Sequence, residues 1–151
     1  MGKAIIIYES KYGNTRQVGE MIAEGMRQVR GIEVTLAEVG QVDLNNLVTF
    51  DAFLIGSPNH MGGPTGSIKR LIDQLNKLKL ENKKIAVFDT YMSKDFEKAI
   101  KKMEKQIVEK LSGLVISVPG LSVRVDGMKG PITEGESIKC REFGVNIAKG
   151  L

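Results

Sequence analysis

The sequence predicts an α/β fold: a doubly wound, five-stranded parallel sheet with helices on both faces, forming a single domain over residues 1–151. Three observations predict it. The segments 3–8, 52–56 and 84–90 are short, near-continuous apolar runs, the pattern of strands buried on both faces. They alternate with stretches whose apolar residues recur every three or four positions, the period of a helix with one buried face. Strands alternating with helices assemble as right-handed βαβ units, which cover a parallel sheet on both sides. In such sheets a ligand sits beyond the C-terminal strand ends, where the strand order reverses.

The first strand spans about 3–8, and the first helix about 14–29, with Val18, Ile22, Met26 and Val29 on one face and Gly31 closing it. The second strand, about 33–38, alternates apolar and polar residues as a half-exposed strand does. A polar stretch with a short helical turn near 44–47 leads to the third strand at 52–56. The next helix starts after Pro64-Thr65 and turns Ile68, Leu71, Ile72, Leu75 and Leu78 inward. The fourth strand spans about 84–90. A helix over about 95–111 then buries Phe96, Ile100, Met103, Ile107 and Leu111. The fifth strand, about 114–118, is interrupted by Pro119-Gly120 and resumes through 121–125. The last helix opens on a capping box, Thr133-x-x-Glu136, and carries Cys140, Phe143, Gly144 and Ile147 on one face.

Composition excludes several function classes. The single cysteine, Cys140, precludes an internal disulfide or a multi-cysteine metal site, and reads as a small core residue. The lone histidine, His60, precludes a histidine metal cluster, so no metal is expected. Net charge is +4, from 22 basic and 18 acidic residues dispersed among each other, with few aromatics; this is not a nucleic-acid signature. No apolar run is long enough to span a membrane, and no signal peptide is visible, so a cytoplasmic protein without membrane insertion is expected. A phosphorylatable receiver domain is also a doubly wound α/β fold but needs an aspartate ending the third strand, where this chain has Gly56-Ser57.

Three loops fall at the ligand edge. The first, Ser10-Lys11-Tyr12-Gly13-Asn14-Thr15, runs from a buried strand straight into a helix. The first turn of a helix has N–H groups without intrahelical partners and the positive end of the helix dipole, so it attracts an anion. Ser10, Tyr12, Asn14 and Thr15 add side-chain donors. Neither GxxxxGK[ST] nor GxGxxG is present, which favours a single terminal phosphate over a triphosphate or dinucleotide. The second loop is Ser57-Pro58-Asn59-His60-Met61-Gly62-Gly63-Pro64, in which Gly62 and Gly63 permit positive φ and peptide rotation beside a flat ligand. Asn59 offers an amide, and His60 an imidazole ring. The third loop begins Thr90-Tyr91-Met92, where Tyr91 either stacks on an aromatic ligand or packs over the sheet edge.

Together these segments resemble the flavodoxin family over nearly the whole chain. The strongest part is Ser10-x-Tyr12-Gly13-Asn14-Thr15, similar to the family's phosphate loop [ST]-x-[ST]-G-N-T, from which Tyr12 departs. That aromatic, the segment from Gly56-Ser57-Pro58 to Gly63-Pro64, Pro119-Gly120-Leu121 and the stretch 140–144 look like the flavodoxin-like domain of flavodiiron proteins. The resemblance implies the flavodoxin-like strand order 2-1-3-4-5 and FMN as cofactor. Ser10, Tyr12, Gly13, Asn14 and Thr15 would hold its phosphate, with the Lys11 and Arg16 side chains in solvent. Asn59, His60, Met61, Gly62 and Gly63 would line the isoalloxazine and Tyr91 would cover a ring face, with Ser57, Pro58, Thr90 and Met92 beside them among the cofactor-binding residues. The chain has no tryptophan, so His60 or Met61 covers the other face or leaves it open. The implied role is a soluble low-potential electron carrier between redox protein partners, monomeric or a weak homodimer, in which no residue is catalytic. The alternative is an FMN-dependent NAD(P)H:quinone or flavin reductase.

Overall fold

The computed structural model describes residues 2–151; Met1, the first residue of the expected domain, lies outside the described residues. The elements are β1 (Gly2–Tyr8), α1 (Asn14–Arg27), β2 (Ile32–Glu38), β3 (Ala52–Pro58), α2 (Gly66–Lys77), β4 (Lys83–Tyr91), α3 (Lys98–Lys110), β5 (Leu114–Ile116), β6 (Leu121–Arg124) and α4 (Glu136–Lys149). All strand pairs are parallel, in the order β2-β1-β3-β4-β5. β6 takes up the same edge of β4 higher along it: Lys83–Ile85 pair with β5 and Phe88–Tyr91 with β6. The fifth strand is therefore one position filled by two segments. Proline has no N–H to donate to a ladder, and beside it the Gly120 N–H donates to the Glu104 carboxylate (3.0 Å) rather than to β4.

The two faces of the sheet carry separate cores, because successive strand side chains point to opposite sides. Ile5, Ile7, Phe53, Ile55, Ile85 and Val87 pack under α2 and α3. Ala4, Ile6, Tyr8, Leu54, Phe88 and Val123 pack under α1 and α4. Each fully buried Ile or Leu contributes about 1.5–3 kcal/mol relative to exposure. α1 and α4 touch backbone to backbone: a Cβ on Gly25 would stand 2.0 Å from the Arg141 carbonyl oxygen, and one on Gly144 2.1 Å from that of Ile22. Only glycine fits either position. β2 is the half-exposed edge strand that its alternation predicts.

Three local expectations fail. α1 ends at Arg27 because its last turn tightens: the Gln28 N–H donates to Gly25 and the Val29 N–H to Met26, i→i−3 bonds that close the helix before Gly31. The capping box at 133–136 does not form. Gly135 (φ 93°) is the cap; the Thr133 hydroxyl donates to Asp126, and the Glu136 carboxylate accepts the Arg124 N–H. α3 starts at Lys98, not near 95. Glu97 takes a left-handed φ of 61°, and the helix is capped from the sheet. As a result Phe96 is not buried. It is 55% exposed and lies edge-on over Tyr91, with ring centroids 5.3 Å apart.

Candidate functional site

A cleft of about 740 Å³ opens beyond the C-terminal ends of β1, β3 and β4, within the roughly 300–1,000 Å³ usual for cofactor sites. All three predicted loops reach it. From the first, Ser10, Lys11, Tyr12, Asn14 and Thr15 line the wall. Gly13 is the N-cap of α1 at φ 93°, and an added Cβ there would meet nothing within 4 Å, so the loop is an open cradle. The cap supplies no side-chain hydrogen bond and the first turn holds no acidic residue. The N–H groups of Asn14 and Thr15 thus have no intrahelical acceptor, while Arg16 N–H donates to Ser10 Oγ (3.3 Å). Ser10 Oγ still has its proton to donate outward. Thr15 is buried and its hydroxyl lies 3.1 Å from that of Thr90.

The second loop divides. Pro58, Asn59 and His60 line the cleft. The His60 and Gly63 backbones bond each other twice (2.7 and 3.2 Å), closing a tight turn with Met61 at φ 52° and Gly62 at φ 75°. Positive φ at both central residues is the type I′ pattern. Met61 and Gly62 form the tip and Gly63 its base, all three beyond the cleft wall, with Met61 93% exposed. Ser57 is buried beneath: its hydroxyl donates to the Pro58 carbonyl and accepts the Thr65 N–H. Asn59 is committed at both ends of its amide, donating to the Thr90 carbonyl (3.0 Å) and accepting the Ala99 N–H (3.1 Å). From the third loop, Thr90, Tyr91 and Met92 all line the cleft.

Several wall residues escaped the sequence reading. Glu9 and Glu38, at the ends of β1 and β2, face the cleft. The Glu9 carboxylate accepts the Ser67 hydroxyl, and Glu38 accepts the Gly40 N–H. Thr65, Gly66 and Asp95 contribute as α2 and α3 begin. A fourth loop, after β6, brings Val125 and Met128, and the Asn14 amide donates to the Met128 carbonyl across 114 residues of sequence (3.0 Å). No local pattern marks that contact.

Beneath the site lies Asp89, with no exposed surface. Its carboxylate accepts the Ser122 hydroxyl (2.6 Å) and the Ile100 N–H (3.1 Å); Ser122 Oγ in turn accepts the Glu97 N–H. Asp89, Ser122 and Asn59 thereby cap α3 from the sheet. Burial pushes the Asp89 carboxyl up to about 6 against those hydrogen bonds, with Glu97 adding to the rise. Burial likewise pushes the Cys140 thiol up to about 12, which suits a core residue rather than a reactive thiol.

This geometry is that of a known family. A family model described as Flavodoxin domain matches residues 5–118. The chain belongs to the flavodoxin family. A flavodoxin of Aquifex aeolicus is 36% identical over 75 residues, 50% of this chain and 40% of that protein. Oxidised Flavodoxin 2 from Bacillus cereus superposes with a TM-score of 0.83 at 26% identity, covering 99% of each chain. The rubredoxin:oxygen oxidoreductase of Desulfovibrio gigas shares the fold over 36% of its length, with 99% of this chain covered, TM-score 0.82 and 19% identity. Flavodoxins bind FMN and carry electrons. The donor set fits that group's phosphate: hydroxyls and free N–H groups at a helix N-terminus, beside Gly13, where an added Cβ would meet only open space. No helix among the described residues is long and apolar enough to cross a membrane.

Proposed function

We propose that this flavodoxin binds FMN in the cleft and serves as a soluble low-potential electron carrier between protein partners. The observation that carries the reading is the uncharged donor cradle of Ser10, Gly13, Asn14 and Thr15 at the start of α1, opening into a cleft walled by Tyr91. FMN would supply the electron chemistry. Ser10, Thr15 and the first N–H groups of α1 would hold its phosphate. Asn14 braces that loop against the 125–132 segment through Met128. Tyr91, steadied by Phe96, offers its ring to a flat ligand. Glu9 and Glu38 line the cleft, and nearby carboxylates disfavour added negative charge, which supports the low-potential reading.

The test is FMN titration followed by anaerobic stepwise photoreduction read by visible absorption. Tight binding and two resolved one-electron steps are expected. Failure to bind FMN at micromolar concentration overturns the reading. A single two-electron step with direct NAD(P)H oxidation by a quinone replaces it with the reductase.

A further inference from the structure

The positive charge of this chain is unevenly placed. α2 and α3, on one face of the sheet, carry eight Lys and Arg against three carboxylates, a surplus of five. α1 and α4, on the other, carry five against four. Ion pairing leaves most of the surplus available: Lys110 pairs with Asp73, Lys101 with Glu97 and Lys98 with Asp95, while among the described residues Lys69, Arg70, Lys102 and Lys105 have no ion-pair partner. The two helices form one face, since the Gln106 amide on α3 donates to the Lys69 carbonyl on α2 (3.1 Å).

That face reaches the mouth of the cleft. A Cβ on Gly63 would stand 3.2 Å from Lys102 Cδ and 3.5 Å from its Nζ; one on Gly62 would stand 3.6 Å from Lys98 Cδ. On the α2 side, Gly66 lines the cleft and a Cβ there would lie 3.5 Å from Arg70 Nη1. At the same mouth stand exposed apolar side chains: Met61 at the turn tip and Phe96 against Tyr91. An apolar centre of methionine and aromatic side chains inside a charged rim is the anatomy of a protein–protein interface. The cleft carboxylates Glu9 and Glu38 are held by protein donors, and Asp95 and Glu97 before α3 are paired with Lys98 and Lys101, which leaves Arg70 and Lys102 unpaired in this rim among the described residues.

We propose that the start of the α2–α3 face, with Met61 and Phe96 at its centre and Arg70 and Lys102 in its rim, docks an acidic protein that exchanges electrons with the cleft. The proposal rests on the electron-carrier reading. Complementary charge would steer that partner to the cleft and repel basic ones.

The experiment uses the FMN-loaded full chain with two protein probes: a reduced, acidic plant-type [2Fe–2S] ferredoxin, and basic cytochrome c. In the first reaction one electron leaves the cluster, which is oxidised, and reduces the FMN-loaded chain; in the second the reduced chain passes one electron to the haem. No bond forms or breaks in either. Stopped-flow rates with ferredoxin should fall roughly tenfold or more between low and moderate salt, since electrostatic steering raises on-rates by about 10–10³. Rates with cytochrome c should start low and rise with salt. Arg70→Glu/Lys102→Glu should abolish the ferredoxin salt response while FMN affinity stays unchanged. Arg27→Glu/Lys149→Glu, with the same charge change on the opposite face, should keep it. A salt response that is absent, reversed, or equally altered by both double variants overturns the docking site. So does retention on duplex DNA or phosphatidylserine vesicles without a salt-dependent ferredoxin rate. Failure to bind FMN instead overturns the electron-carrier reading, so the two failures are separable.

Discussion

Asp89 offers a quantitative test of how the floor of the site is built. Folded, its carboxyl titrates near 6 because burial opposes charge; unfolded, the value is 3.8. A folded pKa above the unfolded one means the native state binds the proton more tightly. The contribution is therefore fully present below about pH 4 and is lost as pH rises through 6. Two pH units of difference correspond to about 3 kcal/mol over the full range, of which about 1 kcal/mol falls between pH 5 and 7.5. Asp89→Asn removes the titration, keeps an acceptor for the Ile100 N–H and reverses the Ser122 bond, the amide NH2 now donating to Ser122 Oγ. The assay is urea unfolding of both proteins at half-unit steps from pH 5 to 7.5. The wild-type minus variant difference should shift against wild type by about 1 kcal/mol as pH rises. A difference constant within a few tenths of a kcal/mol would refute the reasoning, since it would mean that the buried carboxylate costs nothing to ionise.

Four further outcomes follow from the same geometry. Gly25→Ala and Gly144→Ala each force a methyl into a facing carbonyl, so each should destabilise by about 1–3 kcal/mol in thermal or urea unfolding. Gly13→Ala meets open space and carries only the backbone strain of φ 93°, so it should destabilise the fold by about 1–2 kcal/mol in urea unfolding. Thr15→Val removes the buried hydroxyl shared with Thr90 and should weaken FMN binding by about 1–2 kcal/mol while the fold, followed by circular dichroism, is kept. Of the two adjacent glycines, Gly62 has positive φ and Gly63 does not. Gly62→Ala should therefore alter the separation of the two one-electron steps in photoreduction, and Gly63→Ala should leave it nearly unchanged, because Lys102 can swing aside.

These contrasts show how roles divide among residues of similar type. Asn59 and Asn14 both sit in ligand-edge loops, yet each spends its amide on the protein: Asn59 on Thr90 and α3, Asn14 on the 125–132 segment. Ser57 and Ser10 likewise differ. Ser57 is sealed under the second loop, whereas Ser10 stands at the cleft with a proton to give. Neighbouring backbone atoms decide whether a polar side chain is scaffold or ligand donor.

The sequence by itself determined the alternation of buried strands with amphipathic helices, the two-faced cover of the sheet and the three loops at its strand ends, while the strand order followed from the family resemblance of those loops. Burial leaves a local periodic trace: Ile5, Ile6 and Ile7 read as a doubly covered strand, and the β2 alternation as an edge. The clustering of Ser10, Gly13, Asn14 and Thr15 between a strand and a helix was equally local. Only the tertiary structure decided that α3 begins at Lys98, because its cap comes from Asp89, Ser122 and Asn59 on other elements. Nor could a local pattern show that Met128 lines the cleft, or that cations from two separated helices share one face. Such features depend on contacts between residues far apart in the chain, which side-chain periodicity along a single element does not encode.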